Sequence, residues 1–338
     1  MTPVSGLAQT AHELGIDRSG LGNLSEAEQE KALKGMRNLN ATWFRDGLGP
    51  INAVRLVKQN NLKMLAIVGP ALSDYDGSSR TPLNGGEKFG QHCGWAQGSL
   101  KLSTINLDKF AQRLRATLAA VRAANLTIDA FEIGNEYDSM CFNGDVPDGH
   151  AASDQELKAI VKAYGELLKA AALAIREFFP QAKIITFGIA HGSDQWDNPP
   201  HHISRPARMI AMLRNIDGFN YLDNAQYHVD GYGTHIYPWS GAPAGHMTSI
   251  LREDVAAIGT AKPYWVTEWG FLSAKDFPNQ KGQSLLQATR EMLTTFDNLG
   301  RTIPLGPLMF YSYNGWLTDS TGQLLPQANV LSAYAGKR

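Results

Sequence analysis

Two stretches place carboxyl groups where paired carboxyls can do chemistry. FEIGNEYD, residues 131–138, runs strand-favouring residues into Gly134 and then sets Asn135 beside Glu136. PYWVTEWGF, residues 263–271, reads as a second buried strand that ends in Glu268. Two carboxyls facing one opening can act together as a general acid and a nucleophile. Strand ends this far apart in sequence meet only in a fold that gathers strand ends at one rim. A parallel (β/α)8 barrel does that.

The elements that would position them alternate along the chain. AHELGID, residues 11–17, reads as a short first strand. Residues 25–39 read as a helix, with Ser25 as N-cap and Glu28 completing a capping box. ATWFRD, 41–46, is a strand, and Pro50 opens the helix after it. KMLAIVG, 63–69, is the continuous apolar run of a parallel strand covered on both faces. Further strands are read at 128–136, 183–190, 230–238, 263–270 and 307–315. Helices fall at 106–124, 154–179, near 204–215, near 247–259, at 282–299 and at 326–335.

Eight strands and about eight helices in alternation predict an α/β fold, a (β/α)8 TIM barrel forming a single domain over residues 1–338. The bulky connections, 70–105, 137–153, 191–203 and 239–246, follow strands 3 to 6 and so lie on the catalytic face. The first of them reads as a long irregular loop. A doubly wound open sheet is the competing fold, but no G-x-G-x-x-G follows an early strand.

The strand ends supply Arg45 on the second strand, Asn135 and Glu136 on the fourth, and His235 and Tyr237 on one side of the sixth. Glu268 closes the seventh, and Trp316 follows the eighth. This set resembles the retaining glycoside hydrolases of clan A. It is closest to the family 5, cellulase-like pattern, with the family 39 group next, over about residues 40–322. One departure stands out. The family 5 pattern has a histidine near the end of strand 3, where this chain has Gly69 and Pro70, and His92 lies in the loop beyond.

The resemblance implies Glu136 as acid/base and Glu268 as nucleophile, acting on β-linked oligo- or polysaccharide through a covalent glycosyl-enzyme intermediate with net retention and no cofactor. The charge of Glu268 would keep Glu136 protonated until Glu268 is esterified. Asn135 would hydrogen-bond the sugar 2-hydroxyl. Tyr237 and Arg45 would hold Glu268 ionised and oriented, and His235 would touch the sugar or support the pair. Trp316, with Trp239 and Trp269, would offer flat apolar faces to a pyranose.

Each residue also has a plainer reading. Arg45 suits a structural ion pair, and His235 a packed histidine. Trp43 and Trp265 read as core or helix-facing residues. Trp265 has opposite parity to Glu268 and is expected to point away from the barrel interior. Glu132 is expected to point inward, where a buried acid needs a partner. Cys93 and Cys141 fall in loops on the same rim. They are either a disulfide, which implies an oxidising compartment, or two free thiols.

With 31 basic and 32 acidic residues and a formal net charge of −1, nothing favours a nucleic-acid partner. No apolar run approaches the ~20 residues of a membrane span. The start, MTPVSGLAQTAHELG, lacks the pattern of a signal peptide. The expected partner is a carbohydrate, the expected state a monomer, and the expected location periplasmic or secreted, with the cytoplasm the alternative. The competing functions are a catalytically inactive glycan-binding barrel, a transglycosylase on the same site, and a metal-assisted hydrolase. The last would need a His/Asp cluster at the strand ends.

Overall fold

Apolar runs of four to seven residues that bury both faces form the strands, and they close into a ring. The strands are β1 (Leu14–Asp17), β2 (Trp43–Gly47), β3 (Lys63–Val68), β4 (Ala130–Ile133), β5 (Lys183–Ile189), β6 (Gly231–Ile236), β7 (Tyr264–Gly270) and β8 (Leu305–Tyr311). Each pairs in parallel with the next, and β8 returns to β1 as a closed barrel. This is the predicted (β/α)8 fold. The computed structural model describes residues 12–94, 96–191, 202–238, 243–271 and 284–336.

The helices among these are α1 (Glu26–Asn38), α2 (Ile51–Gln59), α3 (Glu87–Cys93), α4 (Leu107–Ala123), α5 (Asp154–Phe178), α6 (Ala207–Met212), α7 (Pro243–Ile258), α8 (Leu285–Leu299) and α9 (Pro326–Ala335). Their starts follow local chemistry. Ser25 and Glu28 form the predicted capping box on α1, and Ser153 and Glu156 form another on α5. Such caps satisfy amide groups that a helix leaves open, each worth about 1 kcal/mol. The main apolar core fills the annulus between the helices and the outer face of the barrel.

The barrel interior holds a smaller plug of Trp43, Leu65, Ala130, Ile185, Trp265 and Met309. The two indoles meet edge to face at 5.2 Å. Trp43 donates its Nε1–H to Glu13 at 2.7 Å. Glycines make the room: a Cβ on Gly231 would stand 2.7 Å from the Trp265 ring, and one on Gly306 2.9 Å from it.

Trp265 thus points into the barrel, contrary to the parity argument. Thr234 of β6 pairs with Val266, but His235 pairs with Glu268, so Thr267 is an extra residue in β7. This bulge turns both Thr267 and Glu268 inward and reverses the alternation before it. After it, alternation resumes and sends Trp269 outward. Trp269 is fully buried between Phe296 of α8 and Phe310 of β8, at 5.3 and 4.9 Å. It has no face to offer a sugar.

The stretch 70–105 is less irregular than its sequence suggests. It contains α3 and short 3-10 turns at 72–74, 77–80 and 102–104. Cys93 and Cys141 form a disulfide that ties it to the loop after β4. Ser99 donates to the Met140 carbonyl at 2.5 Å, Gly144 N–H to Leu100 O at 3.0 Å, and Ser103 to Asp145 at 2.6 and 2.8 Å. Two rim loops are therefore joined into one wall.

Gly231→Ala tests the packing of the plug. Trp265 and the Pro263 carbonyl leave no space for a methyl group. Overpacking of this kind is expected to destabilise the barrel by about 1–3 kcal/mol, read as a lower urea midpoint with an unchanged slope.

Candidate active site

A layer of charge lies above the tryptophan plug, and Arg45 is its centre. Position 45 faces inward because it is two residues on from Trp43 along β2. The side chain is fully buried. Its Nε donates to Glu132 of β4 at 2.7 Å, and its Nη1 to Asp17 of β1 at 2.8 Å and to Glu268 of β7 at 2.6 Å. Its Nη2 donates to the Asn135 side-chain oxygen at 2.9 Å. The partner required by Glu132 is thus Arg45, joined by Thr267, whose hydroxyl donates to the other oxygen at 2.7 Å.

Glu268 receives Arg45 on one carboxylate oxygen and the Tyr237 hydroxyl on the other. Both donors hold it in one orientation with its charge compensated. Across from it, Glu136 leaves β4 through a sharp turn. Gly134 has φ of 92° and Glu136 itself has φ of 48°, in the left-handed region that costs a non-glycine residue about 1–3 kcal/mol. Its N–H to the Gly188 carbonyl of β5, at 3.1 Å, holds the turn. His235 Nδ1 meets Glu136 Oε1 at 2.7 Å, and oxygens of Glu136 and Glu268 and a nitrogen of His235 all lie within 4.8 Å of one another.

Burial dictates the protonation. It raises the Glu136 carboxyl above its usual range. The His235 hydrogen bond and charge oppose this, but the nearby Glu268 charge adds to the rise. Burial works against a charged His235, yet Glu268, Glu132 and Glu136 outweigh it and lift the imidazole to about 10. Burial also pushes Asp17 up to about 7, against the pull of Arg45. Glu132 ends below its usual range, because Arg45 and His235 overcome the cost of burying it. Tyr237 is raised well above a normal phenol by burial and by the Glu268 charge.

The arrangement brings together Arg45, Asn135, Glu136, His235, Tyr237 and Glu268. Asn135 gives its oxygen to Arg45, and among the described residues its NH2 group has no acceptor, so it can donate to a ligand. Trp316 is half-buried and leans on Phe271 at 5.5 Å. Trp239 lies outside the described residues, as do Trp95, Trp196 and His201.

Three members escaped the sequence reading. Asp17 ends the weakly patterned first strand and carries no motif. Thr267 shares the inward face with Glu268 only because of the bulge, so parity counted from Glu268 hides it. Tyr311 ends β8 and packs edge-on against Tyr237 at 6.1 Å, where burial and the charge of Glu268 raise its hydroxyl. The inward parity of Asp17 with Gly15 was the one available signal.

No protein-family model matches the chain, and no curated protein matches its sequence. Solved structures do. A monomeric β-xylosidase from Caulobacter crescentus CB15 is 13% identical, with a TM-score of 0.61 over 95% of this chain and 67% of its own. The hyperthermostable endo-1,4-β-D-mannanase from Thermotoga petrophila RKU-1 is 13% identical, with a TM-score of 0.59 over 97% of this chain and 100% of its own. The endo-β-1,3-glucanase from Amycolatopsis mediterranei is 11% identical, with a TM-score of 0.50 over 96% and 99%. What the chain shares with them is the barrel.

Removing Arg45 strands buried carboxylates. Arg45→Met is expected to cost about 3–5 kcal/mol of stability in chemical denaturation. Asp17 has the opposite sign of pH linkage from an ordinary paired carboxylate. With its folded value raised from 3.8 to about 7, the stability it contributes is complete below 3.8 and lost as pH rises through 7. Asp17→Asn should therefore flatten the fall in stability between about pH 4 and about pH 7, measured by urea midpoints across that range.

Proposed function

We propose that this chain is a retaining glycoside hydrolase of the clan A kind, cleaving β-linked oligo- or polysaccharide by double displacement. One observation carries the reading. An oriented, charge-compensated carboxylate, Glu268, stands within 4.8 Å of a carboxyl that burial drives toward protonation, Glu136. Retaining enzymes need the two groups about 5–5.5 Å apart, whereas inverting enzymes need about 6.5–9.5 Å to admit a water. The barrels of the xylosidase and mannanase support the reading at the level of fold.

Glu268 attacks the anomeric carbon as the bond to the leaving oxygen breaks. The electron pair goes to that oxygen, which takes the proton of Glu136. His235 occupies one oxygen of Glu136, leaving the other to carry this proton. Esterified Glu268 no longer bears a charge, so the acidity of Glu136 rises and it becomes the base that deprotonates the incoming water. Water then attacks the anomeric carbon and frees Glu268. Asn135 donates to the 2-hydroxyl, a contact that strengthens in the transition state.

Glu136, His235 and Glu268 are also spaced to hold a metal ion. The residues around them fit one poorly. Arg45 already sits 2.6 Å from Glu268, and an imidazole raised to about 10 is protonated at neutral pH and has no lone pair to give. Transfer to a sugar hydroxyl in place of water would use the same intermediate, and an inactive glycan-binding barrel would not need both acids. The Cys93–Cys141 disulfide supports a periplasmic or secreted location.

The first-formed anomer of the product decides the mechanism. Proton NMR during hydrolysis should show the β-anomer before mutarotation, and the α-anomer would refute double displacement. Glu136→Gln should lower kcat by about 10²–10⁴ on substrates with poor leaving groups. Glu268→Gln should abolish turnover on all of them.

His235 gives a separate prediction. It lowers the Glu136 value, so His235→Gln should move the alkaline limb of the kcat/KM profile to higher pH. A limb that stays put or moves down would show that His235 does not tune the acid.

A further inference from the structure

A pocket of about 370 Å³ opens beside Asn135, between the carboxyl ends of β3 and β4. That is within the about 300–1,000 Å³ typical of small-molecule sites. It exists because β3, after Ile67 and Val68, runs into Gly69, which has no side chain. Gly69 and Pro70 stand where the third strand could have placed a large residue, and Gly98 and Gly134 leave further space. The floor is fixed from behind. Arg113 donates to the Gly69 carbonyl at 2.9 Å and makes a forked pair with the buried Asp74 at 2.7 and 3.0 Å. The outer wall is the disulfide-joined pair of rim loops, through Ser99, Cys141 and Phe142.

The lining suits a sugar. Tyr75 and Tyr137 are 3% and 6% exposed, and among the described residues neither phenol hydroxyl has a hydrogen-bond partner. Both oxygens reach the solvent of the pocket, where a ligand hydroxyl can take the place of water. The Tyr137 hydroxyl lies against Gly69 at the floor. The Tyr137 ring is packed against Tyr164 and Phe187, so the tyrosines offer the pocket their hydroxyl ends, while Ile67, Pro70 and Leu100 supply apolar surface for the C–H faces of a pyranose. Among the described residues no lining side chain is charged, which suits a neutral occupant.

The position of the pocket fixes how the occupant is attached. With the anomeric carbon between Glu136 and Glu268, the free amide of Asn135 marks the C2 side of the ring. Space beyond Asn135 is reached by groups on C2 or C3. A substituent on C4 leaves from the far side of the ring.

Resting on the hydrolase reading above, we infer that this pocket receives a neutral sugar residue carried on C3, or as a branch on C2, of the ring whose bond is cut. The preferred substrate is then a β-glycan joined 1→3 or branched at C2, not one joined 1→4.

The test uses matched β-oligosaccharides of glucose, mannose, galactose and xylose, linear 1→3, linear 1→4 and C2-branched, with the whole chain. One of the first or third kind should be cleaved with at least about tenfold higher kcat/KM than its 1→4 counterpart, and which one identifies the attachment. Tyr75→Phe with Tyr137→Phe keeps both rings and removes both hydroxyls. It should raise KM on that substrate by about tenfold, with the loss falling on KM and not on kcat. Efficient cleavage with a 1→4 preference that the double variant leaves in place would overturn the pocket and spare the hydrolase. If no glycan is cleaved, the hydrolase reading falls, and calorimetric titration of the same oligosaccharides judges the pocket alone. Selective binding lost in the double variant supports it, and equal or absent binding of all three kinds refutes it.

Discussion

Everything at the upper end of this barrel depends on one guanidinium. Arg45 stands on β2 and binds acids from β1, β4 and β7, with an amide from the turn after β4. Each of these carboxylates loses its water on folding, at several kcal/mol per ion. The fork of Arg45 repays that only when all four strands hold their register at once. An open or slipped sheet would leave at least one acid buried and unpaired. The contact that orients Glu268 is therefore also a contact that selects the closed ring. Lysine would not replace it, because a single ammonium cannot reach in so many fixed directions.

The same layer explains why two of its carboxyls are raised. It contains four carboxyls, Asp17, Glu132, Glu136 and Glu268, and two cations, Arg45 and His235. With every group charged, a desolvated region would carry excess negative charge. Binding a proton relieves it, and the upward shifts of Asp17 and Glu136 are that relief. Glu132 goes the other way because Arg45, at 2.7 Å, and His235, at 3.8 Å, together outweigh the cost of burying it. The rise of the Glu136 carboxyl is thus set first by its burial and then by the charges of the layer. Under the double displacement proposed above, consuming the charge of Glu268 would remove part of that rise.

The sequence carried most of the barrel and the centre of the site. Continuous apolar runs such as KMLAIVG, the Ser25–Glu28 box and the Pro50 helix start are local signals, and local chemistry decides them. Arg45, His235 and Tyr237 were legible because strand parity held through β2 and β6. Parity failed in β7, where Thr267 is inserted between paired neighbours. A bulge is a property of two strands together, and nothing in VTEWG announces it. The inward Trp265 and the buried Trp269 both follow from that one residue. Asp17 was missed for a related reason: a strand of four residues shows little pattern, and only the closed ring brings it to Arg45.

The division between the barrel and its loops follows from the cost of moving each. The charged layer cannot be altered one residue at a time, since each member balances the others. The loops after β3 and β4 carry no such burden. They are joined to each other by the disulfide and by Ser99, Ser103 and Gly144, and to the frame by Arg113 and Asp74. A wall built this way is stiff but chemically independent of Glu136 and Glu268. Its shape can change without disturbing the charge balance beneath it. The glycine that follows β3 lies on that boundary. Its missing side chain removes nothing from the charged layer, yet it opens the volume beside Asn135.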